Sequence, residues 1–224
     1  MTDPTPSPFA AGWELTDESA TRKVADSTRE LISAVRRTDA PTEVLERAAS
    51  LIAEATAMLA EHRVEGMPMQ GRLGPMGPSG DGERIPSQFF PWSPIIGPLN
   101  PMSAAMEISF DETSSLMTGS ATFDTQFNGP PGMVHGGIIA LAFDELLGAT
   151  NVCLGLGGFT GTLSIRYERP TPIETEVQLE ARLDRVEGRK VFTVGTISHD
   201  GVVTARAEGI FITTQNWRPP TSAT

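Results

Sequence analysis

From about residue 101 to 217, apolar and polar positions alternate with a period of two. Met106, Ile108 and Phe110 form one such run. Leu163, Ile165 and Tyr167 form another, and Val177, Leu179, Ala181 and Leu183 a third. Residues 191–197 and 202–212 are long and β-branched. Each run predicts a strand with one buried face. Glu187-Gly188 and Asp200-Gly201 stand between runs as hairpin turns. One stretch breaks the alternation. From about residue 135 to 151, Ile138, Ile139, Leu141, Ala142, Phe143, Leu146 and Leu147 make a helix apolar on nearly all sides. Such a helix is buried. One buried helix among five or six antiparallel strands predicts an α+β fold with a long sheet wrapped around a central helix.

Ahead of this zone the spacing becomes helical. Val24, Leu31, Ile32 and Val35 recur at helical intervals, and Val44, Ala48, Leu51, Ala55 and Met58 step by 4, 3, 4 and 3. Thr38-Asp39-Ala40-Pro41 offers a cap and an early proline between them. Residues 1–65 therefore read as an N-terminal helical hairpin. Its stripes can pack on each other, on the main domain or on a partner subunit. Residues 66–100 read as a Gly/Pro-rich linker, since Gly and Pro fill 15 of the 36 positions from 66 to 101. Phe89, Phe90, Trp92, Ile95 and Ile96 are too apolar for a solvated linker, so the half after Pro86 should pack on the globular domain. That domain is expected over 101–217, followed by a tail at 218–224.

Composition narrows the function classes. The chain has 17 basic and 28 acidic residues, a net charge of −11, which argues against a nucleic-acid partner. One Cys and three scattered His exclude a disulfide framework and give no ligand set, so no metal is expected. No apolar run reaches about 18 residues, which predicts no membrane span. The first 20 residues hold Asp3, Glu14, Asp17 and Glu18 and show no signal-peptide pattern. The expectation is a soluble protein of a reducing compartment, the cytoplasm.

The informative stretch runs from Asn128 through Gly-Pro-Pro-Gly-Met-Val to His135, Gly136 and Gly137, then along the helix to Asp144 and Glu145. A Gly-rich approach to a helix offers free backbone N–H groups to an anion or a developing oxyanion. Asp144 is a carboxylate inside an apolar helix, which is costly unless paired or used. Structural readings stand beside this one. The glycines can serve close helix–sheet packing, His135 can be a helix-start residue, and Asp144 and Glu145 can emerge at the surface.

The run Gly-Pro-Pro-Gly-Met-Val-His-Gly-Gly-Ile-Ile-Ala, then Asp144, then residues 160–170 ending in Ser-Ile-Arg-Tyr-Glu-Arg-Pro, resembles the hotdog-fold thioesterases, most closely the PaaI-like branch. The resemblance covers roughly residues 101–213. It implies the hotdog fold, an edge-to-edge homodimer or a homotetramer, and hydrolysis of acyl-coenzyme A with no cofactor. By position it implies Asp144 as general base or nucleophile, Gly136 as the amide that polarises the thioester carbonyl, His135 as the motif histidine, and Thr160 as the residue holding the attacking water. Gly137 is expected to bind substrate. Many relatives carry an Asn six residues before the motif His. That position is Gly129 here, with Asn128 one residue further out.

Spacing adds a constraint. Gly136 and Asp144 are eight residues apart on one helix, about 12 Å. If both serve one thioester, the second comes from another chain. The coenzyme carries phosphates, while residues 101–159 hold six acidic residues and no Lys or Arg. Arg166, Arg169, Arg189 and Lys190 are the expected cations, with solvated surface charge as the alternative for each. Glu145 is expected to point elsewhere on the helix. Cys153 reads as a buried small hydrophobe, and His62 and His199 as surface residues. A competing reading is a non-catalytic acyl-thioester-binding module. A hydratase needs an Asp–His spacing that is absent.

Overall fold

A computed structural model describes residues 15–64, 70–71 and 83–213 of the chain. The tail at 218–224, the last residues of the strand-rich zone and most of the Gly/Pro-rich stretch before residue 83 lie outside the described residues. The elements run α1 (Glu18–Arg37), α2 (Thr42–Ala60), β1 (Glu83–Arg84), α3 (Pro86–Phe89), β2 (Glu107–Asp111), β3 (Leu116–Thr122), a 3₁₀ turn (Thr125–Phe127), α4 (Gly136–Cys153), β4 (Gly158–Tyr167), β5 (Glu176–Glu187), β6 (Lys190–His199) and β7 (Val202–Thr213). The strands form one antiparallel sheet in the order β1-β2-β3-β5-β6-β7-β4.

Period-2 burial follows the sequence pattern. Val177, Leu179 and Ala181 of β5 face inward, while Gln178, Glu180 and Arg182 face out. The β6–β7 turn places Asp200 and Gly201 both at positive φ, as a tight two-residue hairpin requires. The sheet curls around α4, whose Ala142, Phe143, Leu146 and Leu147 are completely buried. Leu147 seats against two glycines. A Cβ at Gly195 would lie 3.0 Å from Leu147 Cδ2, and one at Gly209 3.1 Å from Leu147 Cδ1. The 18 residues of α4 have a mean hydropathy of 1.3, so by length and composition alone this helix matches a membrane span. Its apolar surround is the sheet. A sheet around it is what a helix apolar on nearly all sides predicts.

Both ends of α4 are tied down. His135 caps the N-terminus. At the C-terminus Arg84 Nη1 donates to Cys153 O at 2.9 Å while its Nε engages Glu112. A cation there complements the helix dipole. Thus β1, a two-residue strand that the sequence pattern does not announce, anchors the far end of the central helix. The segment after Pro86 packs inward as expected, with Ile95, Ile96 and Leu99 buried. Ser93 organises it: its Oγ accepts from the amides of Ile95 and Ile96 at 3.2 Å each. Asn151 is also buried and accepts from Thr193 Oγ1, while its Nδ2 has no partner among the described residues.

The hairpin helices differ in how they attach. Asp17 caps α1 by accepting from Ala20 N at 2.9 Å. Arg29 donates to the carbonyls of Asn100 and Pro98, Arg36 to Asn128 Oδ1 at 3.1 Å, and Arg37 pairs with Asp124 and Glu174. So α1 docks on the main body through arginines. No residue of α2 is buried. Pro41 itself occupies the N-cap of α2, with no side-chain cap, and Thr38 Oγ1 instead accepts from Ala40 N.

Candidate active site

The approach loop bends back before α4. Gly129 N donates to Met133 O and His135 N to Phe127 O, both at 2.9 Å. A Cβ at Gly129 would lie 2.9 Å from His135 Cα. A side chain there would require the loop backbone to shift. Asn128 does not stand in for an Asn at that position. Its side chain turns to Arg36 and to Gly129 O.

The first amides of α4 have distinct fates. Gly137 N donates to His135 Nδ1 at 3.0 Å. Ile138 N and Ile139 N both donate to His135 O. Gly136 N–H alone of these has no acceptor among the described residues. The expected substrate contact from Gly137 is therefore engaged by the cap, and the positive end of the helix is presented through Gly136. His135 acts on the loop as an acceptor, which requires a neutral ring with its proton on Nε2. Tyr167 OH donates to Gly136 O at 2.9 Å and lies over that glycine.

Two turns further on, Asp144 is half-buried and accepts from Thr160 Oγ1 at 2.8 Å. The alternation that points Leu163, Ile165 and Tyr167 inward would send Thr160 outward. A β-bulge between Thr160 and Thr162 reverses the phase, and Thr160 pairs with the inward Phe211. The bulge is thus what brings the hydroxyl to the carboxylate. Glu145 faces elsewhere, yet it is not a surface residue. Burial pushes its carboxyl up to about 7, opposed by a hydrogen bond with Ser93 and assisted by the charge of Asp144. Sequence reasoning missed this, and an acid beside an acid in an apolar helix is the signal that it carried. Cys153 is buried, and burial raises its thiol to about 11, which suits a packing residue rather than a nucleophile.

β4 connects the two centres. Thr160 near its start touches Asp144 and Tyr167 at its end touches Gly136. It is an edge strand, paired with β7 on one side only, and Thr160, Ser164 and Tyr167 are exposed. The expected cations scatter. Arg189 lies in the β5–β6 turn and Lys190 opens β6, where it pairs with Ile212, the residue opposite Phe159, so both sit at the Thr160 end. Arg169 follows β4 at the Tyr167 end, where its N–H bonds Thr204 O. Arg166 stands opposite Arg206 and lines an outer-face groove of about 490 Å³ with Arg182, Glu180 and Glu208. It faces away from Gly136 and Asp144. Among the described residues no cluster of His, Cys, Asp and Glu is suited to a metal.

Comparison with known proteins follows the same residues. The thioesterase superfamily profile matches residues 131–205. The chain is 41% identical over 86 residues to acyl-coenzyme A thioesterase THEM4 of Xenopus laevis, covering 38% of this chain and 39% of that protein. It is 34% identical over 90 residues to the human acyl-coenzyme A thioesterase THEM5, covering 39% and 36%. The chain thus matches less than half the length of these curated relatives. A solved thioesterase superfamily protein is similar over 89% of this chain and 93% of its own, at 31% identity and a TM-score of 0.75. With a sheet curled about one long helix and a likeness reaching well beyond that core, the chain has the hotdog fold and belongs to the thioesterase superfamily.

Proposed function

We propose that the protein hydrolyses acyl-coenzyme A thioesters at two equivalent sites, each shared between two copies of the chain. One observation carries the reading. The free Gly136 N–H and the Thr160-held Asp144 mark opposite ends of one edge strand whose second side is open. Within a chain they are about 12 Å apart along the helix. Thr160 lies four residues before Ser164 and Tyr167 three after it, and the bulge at Gly161 takes up the extra residue. Antiparallel pairing of two β4 strands centred on Ser164 puts inward Leu163 opposite inward Ile165 and sets Thr160 of one copy opposite Tyr167 of the other. Asp144 of one then approaches Gly136 of the other, twice, as a twofold axis demands.

The chemistry follows from those groups. The thioester carbonyl accepts from Gly136 N–H, and the dipole of α4 favours the charge that develops on its oxygen. Asp144 of the second copy takes a proton from a water that Thr160 helps to hold, and the water oxygen bonds to the carbonyl carbon. Collapse of the tetrahedral adduct breaks the C–S bond and releases the coenzyme A thiolate and the free acid. Direct attack by Asp144, giving a mixed anhydride that water then opens, uses the same geometry. Arg189 and Lys190 at one end, and Arg169 at the other, are the cations placed to meet the coenzyme's phosphates. The curated relatives named for acyl-coenzyme A support this substrate class.

The test is thiol release from a panel of acyl-coenzyme A substrates by wild type and by Asp144→Ala. Release by the wild type and loss in the variant support hydrolysis. Ligand binding without release in the wild type replaces the proposal with a non-catalytic binding module.

A further inference from the structure

Helix α2 is apolar in a way the chain itself does not use. Two seven-residue rows run along it, Val44-Leu51-Met58 and Leu45-Ile52-Leu59. A period of 3.5 keeps one seam aligned with a neighbouring helix, and rows at adjacent positions make that seam wide. Yet no residue of α2 is buried. Large apolar side chains of the two helices are exposed from 36% at Leu31 to 65% at Met58. The seam between α1 and α2 is not closed either. Val24 and Leu31 face Leu51, Ile52 and Leu59 across an open groove of about 510 Å³. A contiguous apolar surface of this kind marks a contact that a lone chain lacks.

We propose that this groove is filled by α2 of a second copy, so that two hairpins exchange helices into a four-helix bundle. Three features select a second copy over another occupant. The seven-residue repeat specifies a helix as the neighbour. Charge is complementary between the two helices: α1 carries five basic residues against three acidic, and α2 three acidic against one basic. Arg29, Arg36 and Arg37 are turned to the body, so the cation of α1 that meets an exchanged, acidic α2 is Lys23 on the rim of the groove. The surface is also self-complementary, as a twofold contact requires, since the same helix supplies both the ridge and one wall of the groove. α1 links this contact to the body, because Arg36 and Arg37 hold Asn128 and Asp124 beside the Gly-rich loop. The hairpin contact does not depend on the chemistry proposed above.

The experiment uses the full chain with Met58→Cys, Cys153 being buried, and follows the rate of maleimide labelling as protein concentration rises. A second copy gives labelling that slows at least about 10-fold between the dissociated and associated ranges. The same variant carrying Leu51→Glu and Ile52→Glu should label at one fast rate throughout. By sedimentation, Leu51→Glu/Ile52→Glu alone should weaken assembly by at least about 100-fold, because it places carboxylates in the apolar seam. Its far-UV spectrum should keep the wild-type helix content. Slow labelling independent of concentration assigns the cover to a segment of the same chain and overturns the proposal. Fast labelling at every concentration overturns it as well.

Discussion

Glu145 makes the stability of this fold depend on pH in a direction opposite to most carboxylates. The folded chain holds the Glu145 proton up to about pH 7, whereas the ordinary value is 4.5. Below 4.5 both folded and unfolded chains are protonated, and burial exerts no penalty. As pH rises through the interval, the unfolded chain has released its proton and the folded chain has not, so stability falls. Above about 7 the loss is complete. At about 1.4 kcal/mol for each pH unit it amounts to about 3 kcal/mol at most. Glu145→Gln keeps the shape and a partner for Ser93 but cannot ionise. Urea denaturation followed by far-UV circular dichroism, from pH 4.5 to 8 at one fixed protein concentration, measures the difference. The variant should match the wild type near pH 4.5 and exceed it progressively, by about 2–3 kcal/mol at pH 8. A difference that stays constant across this range, or a variant less stable at pH 8, refutes the reasoning.

Asp144→Asn, which keeps the volume and the Thr160 contact but removes the base, should lower kcat by about 100- to 10,000-fold with the melting temperature held or raised. Tyr167→Phe deletes the hydroxyl on Gly136 O; kcat/KM should drop up to about 10-fold, the equivalent of one modest hydrogen bond, with little change in global unfolding. Gly195→Ala puts a Cβ 2.9 Å from Glu180 O and 3.0 Å from Leu147 Cδ2, and overpacking there should destabilise the fold by about 1–3 kcal/mol in thermal or urea unfolding.

The central helix and its strands were legible because burial leaves a period. Val177, Leu179 and Ala181 alternate, and α4 is apolar all round. Asp144 was legible for the opposite reason, as a charge that the period does not accommodate. What escaped the sequence depends on contacts between distant residues. β1 is two residues long and exists because it pairs with Asp111 and Phe110 and because Arg84 reaches Cys153 O. The use of Gly137 by His135, leaving Gly136 free, is a choice between adjacent amides that only loop geometry makes. Arg166 is distinguished from Arg169 by the face it projects from, and no local pattern near it fixes the side of β4 on which the ligand sits. The hydrogen-bond partner of the buried Glu145 is Ser93, 52 residues earlier in the chain.

The irregularity in β4 divides that strand into two stretches obeying opposite parity. Downstream, odd-numbered positions look at the core; upstream, the even-numbered Thr160 does. Losing one residue between them, at Gly161, would leave Thr162 on Ile210 and Thr160 on Phe211 as a regular ladder, with the downstream packing intact and the hydroxyl still turned to the core. A chain built this way can tighten or loosen the bend at its reactive corner without disturbing the packing that keeps it folded.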